Sequence, residues 1–177
     1  MKKTAVIFKT KYGSTKKYAE WISEALECDI FEGSKINIDL LADYDIIIYG
    51  GGLYASGING IDLITKNYDK LKNKKLIVFT VGLADPNIKS QFTPILNKNF
   101  NQEMLEGINI FHLRGGIDYK KLGLVHKSMM AMLKRMVKSK KEEELTDEDR
   151  MMLETYGDIV DFTDKTTIEP ILAFAKE

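Results

Sequence analysis

Short apolar runs alternate with longer segments of helical periodicity over the first two thirds of the chain. The first run, Thr4–Phe8, is too short for a helix and β-branched enough to predict a strand buried on both faces. The other runs are Cys28–Phe31, Asp45–Tyr49, Lys75–Thr80 and Ile108–Leu113, and the helical segments are Ser14–Leu26, Ile58–Leu71 and Asn87–Phe100. Strands that alternate with helices of this length predict an α/β fold with a doubly wound, five-stranded parallel sheet.

The final third of the chain departs from this alternation. Residues 119–141 have the periodicity of one long helix, with a methionine-rich stripe on one side and lysines on the other. The segment Thr146-Asp147-Glu148-Asp149 predicts the cap of a short helix that runs to Tyr156. Thr163 predicts the cap of a last helix that runs to Ala175, and Gly157 predicts a break between the two. We therefore predict a single domain over residues 1–177, with a helical insert at about 119–150 before the last helix.

The charge of the chain is balanced as a whole and unbalanced locally. Its 177 residues carry 26 Lys and Arg against 26 Asp and Glu, which gives no indication of a nucleic-acid ligand. Between Arg114 and Lys141, however, nine basic residues stand against one acidic residue, for a local net charge of +8. Residues 119–141 therefore predict either packing on the core, or contact with an anionic membrane surface or an acidic electron-transfer partner.

The single cysteine and the first residues of the chain indicate the cellular compartment of the protein. The one cysteine, Cys28, cannot form an intramolecular disulfide, and Met-Lys-Lys-Thr leads directly into a short apolar run rather than a signal sequence. We predict a cytoplasmic protein, with peripheral contact at the inner face of the membrane as an alternative.

Ligands of a doubly wound sheet bind at the carboxyl ends of its strands, so the segments after the apolar runs are the candidate site. The first of these leaves a buried strand, opens a helix and is rich in hydroxyls; it comprises Thr10, Lys11, Tyr12, Gly13, Ser14 and Thr15. Such a turn directs backbone N–H groups and the positive end of the helix outward, as a phosphate site requires. The alternative is that Ser14 or Thr15 only caps the helix and Gly13 only makes the turn.

Three further loops complete the predicted rim of the site. The candidate residues there are Gly51, Gly52, Leu53, Tyr54 and Ala55 within the loop 50–57, then Gly82, Leu83 and Asp85, then Gly115 and Gly116. Glycines allow close backbone approach to a flat ligand, and Tyr54 offers an aromatic face. The alternatives are a glycine-rich turn with Tyr54 half-buried, and Asp85 as a helix cap. Gly50, Gly52 and Ala55 also match a dinucleotide-binding pattern, which we interpret as chance because that pattern is expected in the first turn.

At these residues the sequence resembles a flavodoxin. Thr10, Gly13 and Thr15, with Ala19 on the following helix, match the phosphate loop T-x-T-G-x-T of flavodoxins, and Tyr12 departs from it. The resemblance covers residues 1 to about 116 and implies the strand order 2-1-3-4-5. It also implies that residues 10–16 hold the phosphate of FMN, while the loops 50–56 and 81–85 flank its ring.

A narrower resemblance covers the whole chain. The segment 115–119, the basic helix after it and the closing segments 161–164 and 173–177 resemble the flavodoxin-domain family that includes bacterial quinone-linked protoporphyrinogen oxidase. That enzyme carries a long extra segment before its last helix. Asp118 and Tyr54 stand where its pattern has basic residues. The resemblance implies an FMN-dependent oxidoreductase or electron carrier whose partner is a redox protein or a quinone.

Other classes of function find less support in the residues. His112 and His126 are isolated, which predicts no catalytic base and, with one cysteine, no metal site. A phosphoacceptor receiver domain shares the strand order but requires an acidic pocket, whereas Lys9-Thr10-Lys11 follows the first strand here. A binding module without a flavin remains an alternative to the flavin interpretation.

Overall fold

The structure is a computed structural model that describes residues 2–55 and 57–177. It divides into two compact units. The first unit runs to Gly115 and resumes at Thr163, and the second unit is Gly116–Phe162.

The main sheet lies in the first unit. Its strands are β1 (Thr4–Lys9), β2 (Asp29–Glu32), β3 (Ile46–Tyr54), β4 (Gly57–Ile58), β5 (Lys75–Gly82) and β6 (Ile108–Arg114). Five of them pair in parallel in the order β2-β1-β3-β5-β6, and the short β4 pairs antiparallel with the end of β3. The five predicted strands and their order are therefore confirmed, and β4 is an addition.

The α-helices of the described residues are, in chain order, α1 (Ser14–Leu26), α2 (Asp62–Thr65), α3 (Tyr68–Leu71), α4 (Thr93–Asn99), α5 (Gln102–Gly107), α6 (Leu124–Lys138), α7 (Asp147–Thr155) and α8 (Glu169–Lys176). The first predicted helix, Ser14–Leu26, is confirmed. The predicted helix Ile58–Leu71 is confirmed only in part: Ile58 pairs in β4, Gly60 turns the chain at a φ of +72°, and the rest of the segment forms the two short helices α2 and α3. The predicted helix Asn87–Phe100 is shortened to α4, which carries a proline in its first turn.

Both faces of the sheet are covered by apolar side chains. One face packs Val6, Ile48 and Phe79 against residues of α1 and α8, including Tyr18 and Ile171. The other face carries the alternate strand residues, such as Ile7, Ile47 and Val78, and packs against the segments between β3 and β6. Because both faces are buried, the central strands are apolar throughout rather than alternating.

The second unit is built on a small antiparallel pair of strands. Strand β7 (Gly116–Asp118) pairs with β8 (Ile159–Asp161), and α6 and α7 lie between them in the chain. The predicted helix 119–141 is too long, because residues 119–121 form a 3₁₀ turn and Gly123 has the extended backbone of a helix cap. The predicted break at Gly157 is confirmed by its φ of +98°.

The predicted cap of α7 is confirmed, whereas the predicted cap of the closing helical segment is wrong by one residue. Thr146 caps α7, as predicted: its hydroxyl accepts from the Asp149 N–H, and the Asp149 carboxylate accepts from the Thr146 N–H. The closing helical segment is capped by Asp164 rather than Thr163, because the carboxylate of Asp164 accepts from the Thr166 N–H at 2.8 Å.

The cap of α7 gives a direct test of stability in the second unit. Replacing Thr146 with Ala should destabilise α7 by about 1 kcal/mol, because one N–H of the first turn loses its acceptor. Hydrogen exchange at residues 147–155 should then accelerate about fivefold, while Thr146→Ser should exchange like the parent. Equal protection in the Ala variant would contradict the role of the hydroxyl.

Within residues 2–55 and 57–177, no helix is both long enough and apolar enough to cross a membrane.

Candidate functional site

The turn between β1 and α1 is closed by its own residues. The Gly13 N–H donates to the Thr10 hydroxyl at 2.9 Å, and the Lys17 N–H donates to the Gly13 carbonyl at 3.0 Å. Gly13 itself caps α1 at a φ of 102°, a left-handed conformation that favours glycine. No side chain caps the first turn of α1, so the alternative that Ser14 or Thr15 serves as the cap is wrong.

Within this turn, the side chain of Thr15 gives the evidence for a ligand. Its side chain is 98% buried, since its exposed fraction is 2%. Its hydroxyl makes no hydrogen bond to any residue that the structure describes, although the fully buried polar side-chain atoms of those residues all have partners. The hydroxyl must therefore reach the surface of the turn, where it can donate to an anion beside the positive end of α1.

The glycines after the third apolar run belong to a strand and not to a loop. The prediction of a loop at 50–57 is wrong in this respect, because β3 continues to Tyr54 and Gly51 pairs with both Lys9 of β1 and Thr80 of β5. A Cβ on Gly51 would lie 2.6 Å from the Ile58 side chain, so glycine is required where β4 folds back. Ser56, in the predicted loop, lies outside the described residues.

Tyr54 connects this strand end to the first turn. Its ring lies over Gly52, since a Cβ on Gly52 would be 2.9 Å from the Tyr54 hydroxyl. The Lys11 N–H donates to that hydroxyl, and the ring of Tyr12 stands edge-on at 6.1 Å. Burial raises the pKa of Tyr54, and the neighbouring Tyr12 adds to the rise. Ala55 then turns the chain at a φ of 46°.

The third and fourth candidate segments also meet. The Gly115 N–H donates to the Gly82 carbonyl at 2.7 Å, and the Arg114 guanidinium donates to the Leu83 carbonyl through Nε at 3.1 Å and Nη2 at 3.0 Å. The Asp85 carboxylate accepts from the Asn87 N–H at 2.9 Å, which closes a turn. Asp85 is therefore not a helix cap, as α4 begins only at Thr93.

Gly115 also approaches the first turn. A Cβ at this position would lie 2.8 Å from the Val81 side chain and 3.3 Å from the Cβ of Ser14. The structure thus brings together the turn 10–15, the end of β3, Gly82 with Leu83, and Gly115. Gly116 is the first residue of the second unit, where it pairs with Asp161.

Sequence reasoning missed one residue that holds these segments in place. The Tyr18 hydroxyl donates to the Arg114 carbonyl at 2.7 Å and accepts from the Asp164 N–H at 3.1 Å, while the ring is fully buried. Tyr18 ties α1 to the end of β6. Nothing in the sequence sets it apart from the apolar residues of the same helix face.

The sheet order, the turn at the end of β1 and the glycine-lined strand ends define a flavodoxin-like α/β protein. A family model described as a flavodoxin domain matches residues 5–144. The chain therefore belongs to the flavodoxin-domain family.

One relative comes from an archaeon. An uncharacterized protein of Methanocaldococcus jannaschii is 30% identical over 116 residues, which cover 64% of this chain and 75% of that protein.

Similar solved structures are more distant in sequence. A WrbA-like flavodoxin protein from Agrobacterium tumefaciens is 22% identical, with a TM-score of 0.45 over 62% of this chain and 76% of its own. A flavodoxin from the domain Archaea is 15% identical, with a TM-score of 0.45 over 86% and 94%. Oxidised flavodoxin 1 from Bacillus cereus is 19% identical, with a TM-score of 0.44 over 63% and 84%. Membership of the family rests on the family model.

Proposed function

We propose that this protein binds FMN noncovalently and takes part in electron transfer. The observation that carries the proposal is the hydroxyl of the nearly buried residue Thr15, which reaches the surface of the turn, makes no hydrogen bond to a described residue and stands at the uncapped start of α1. That arrangement fits a phosphate, and the family of the chain supports a flavin as the group attached to it.

Under this proposal, one group of candidate residues would hold the phosphate of FMN and a second group would contact its ring. Residues Thr10, Lys11, Tyr12, Gly13, Ser14 and Thr15 would hold the phosphate of FMN. The ring would be flanked by Gly51, Gly52, Leu53, Tyr54 and Ala55, by Gly82, Leu83 and Asp85, and by Gly115 and Gly116. FMN would supply the electron chemistry when bound, so the protein needs only to bind it, exclude water and set the polarity around it.

The first test is the identity of any bound chromophore. The purified protein should be yellow, and heating should release FMN rather than FAD, because the described residues of the rim form one phosphate turn and no second one for a pyrophosphate. Released FAD would contradict the cofactor assignment. A colourless protein that takes up neither flavin would favour a binding module of another kind.

A second candidate function is quinone-linked oxidation of the protoporphyrinogen type. It is favoured by the second unit, which precedes the last helix and into which the family match extends as far as residue 144. Asp118, which stands where that family has a basic residue, has local partners: its carboxylate accepts from the Lys120 N–H and pairs with Lys121. We therefore assign Asp118 a structural role rather than a role in binding a substrate.

The two candidates differ in their electron partners. Reduction of the FMN-loaded protein by NAD(P)H, ferredoxin and a quinol should be compared with oxidation of protoporphyrinogen in the presence of a quinone. Porphyrin formation that depends on the quinone would favour the enzyme. Electron exchange with a redox protein alone would favour the carrier.

Tyr54 tests the ring side of the proposed site. Replacing Tyr54 with Ala should weaken FMN binding by about 0.5–1.5 kcal/mol beyond the loss of burial and shift both reduction potentials, because the ring of FMN would lose its aromatic neighbour. Tyr54→Phe keeps the aromatic face and should bind FMN more nearly like the parent. An unchanged flavin spectrum and unchanged potentials in Tyr54→Ala would exclude stacking.

A further inference from the structure

Helix α6 presents apolar side chains to solvent along one side. Val125 is 71% exposed, Met132 and Met136 are each 60% exposed, and Leu133 is 41% exposed. We call these four residues the α6 stripe. Their spacing of one, three, four and seven residues places them on one side of the helix, and Val137, on another side, is only 3% exposed.

Outside the α6 stripe, the exposed surface of α6 carries Leu124, which is 87% exposed at the first position of the helix, and positive charge. Lys127, Arg135 and Lys138 are exposed, and none of them makes an ion pair with a residue that the structure describes. The helical spacing places Lys127 and Lys138 on the side away from the α6 stripe, and Arg135 at its border. Lys134 differs from these three, as its ammonium group lies 3.9 Å from the centre of the Tyr156 ring.

Two of the acidic residues that follow α6 pair with cations outside α6. Asp149 is held by Lys140 at 2.7 Å, and the hydrogen bond from Lys140 lowers the pKa of that carboxyl. Glu142 is paired with Arg150. Asp149 and Glu142 thus already serve other partners, and no ion pair joins Lys127, Arg135 or Lys138 to a carboxylate of the described residues.

We propose that α6 lies in the interface of an anionic lipid bilayer, with the α6 stripe in the acyl boundary and Lys127, Arg135 and Lys138 among the headgroups. An exposed apolar side opposite an uncompensated cationic side is the pattern of a helix that lies in a membrane surface. We infer lipid as the occupant because an anionic bilayer supplies, in one surface, an apolar layer for the α6 stripe and negative headgroups for the three cations that have no described ion-pair partner. The proposal does not depend on the flavin.

The test is cosedimentation of the full chain with vesicles. The parent should bind vesicles of phosphatidylcholine with phosphatidylglycerol at low salt, bind them less at high salt, and leave vesicles of phosphatidylcholine alone unbound. A charge variant (Lys127, Arg135 and Lys138 to Glu) should lose about 100-fold in partitioning. A stripe variant (Val125, Met132 and Met136 to Ser) should also lose binding.

A matched control separates the effect of the charges on α6 from the effect of the net charge of the protein. Lys66, Lys89 and Lys176 are exposed in the first unit, and their change to Glu alters the net charge as much as the charge variant does. This control should keep most of the binding. Circular dichroism tests whether each variant remains folded. If a variant does not, the single change Arg135→Gln replaces the charge variant, and Met136→Ser replaces the stripe variant.

Three outcomes would overturn the proposal. The first is no sedimentation of the parent with anionic vesicles, and the second is an equal loss in the control and in the charge variant. The third is a parent dimer that the stripe variant dissociates, which would assign the α6 stripe to a second copy of this chain.

Discussion

Thr15→Ala should weaken FMN binding about 10- to 150-fold. The change removes a hydroxyl that makes no hydrogen bond to a described residue and that stands at the uncapped first turn of α1. A hydrogen bond to a charged group contributes about 1.5–3 kcal/mol, which corresponds to that range of affinity. Fluorescence titration of the apoprotein with FMN measures the effect.

Thr15→Ser is the matched variant for this experiment. It keeps the hydroxyl and removes one methyl group, so it should bind FMN within a few-fold of the parent. Without FMN, Thr15→Ala and Thr15→Ser should be about equally stable, because both lose the same buried methyl group and the hydroxyl makes no hydrogen bond to a described residue. Equal affinities of the Ala variant and the parent would remove Thr15 from the phosphate site.

His112 should make the stability of the first unit depend on pH. Its ring stacks on Phe92 with centroids 3.7 Å apart, and its Nδ1 shares a hydrogen bond of 2.7 Å with the Thr80 hydroxyl. Burial lowers the pKa of His112 to about 4, against an ordinary value of about 6.5. The folded protein therefore binds fewer protons than the unfolded chain between these two values.

The stabilising effect of neutral His112 is fully present above pH about 6.5 and is lost as the pH falls toward about 4. The ring is only partly shielded from water, so we expect a loss of roughly 1–3 kcal/mol over this interval. Urea unfolding at a series of pH values should show the slope, and His112→Gln should flatten it. An NMR titration midpoint near the ordinary value for His112 would contradict the prediction.

Most of the sheet could be predicted because its strands are buried on both faces. Continuous apolar runs such as Thr4–Phe8 and Lys75–Thr80 have no other stable arrangement in a chain of this composition. The end of β3 could not be predicted in the same way, since Gly50, Gly51 and Gly52 look like a loop until β4 folds back on them. Glycine is needed at these positions because side chains of neighbouring strands pack closely against the backbone of β3. The local sequence does not reveal such contacts.

The candidate site was partly predictable for a similar reason. The turn 10–15 is contiguous in the chain, so its hydroxyls and Gly13 could be recognised together. The contacts of Tyr54 with Lys11 and of Gly115 with Gly82 join segments far apart in sequence, and they depend on the order of the strands. Arg114 and Tyr18 act through backbone carbonyls, which no residue pattern identifies.

The pairing of β7 with β8 brings the two ends of the second unit close together. Gly116 and Asp161, which lie at the two ends of the second unit, are direct partners in one antiparallel ladder, and such partners have Cα atoms about 5 Å apart. A segment whose ends lie that close can be gained or lost in one genetic event, leaving only a short connection between β6 and α8. Relatives with and without this segment can therefore share the same sheet, and new partner specificities can evolve in the segment while the strands stay unchanged.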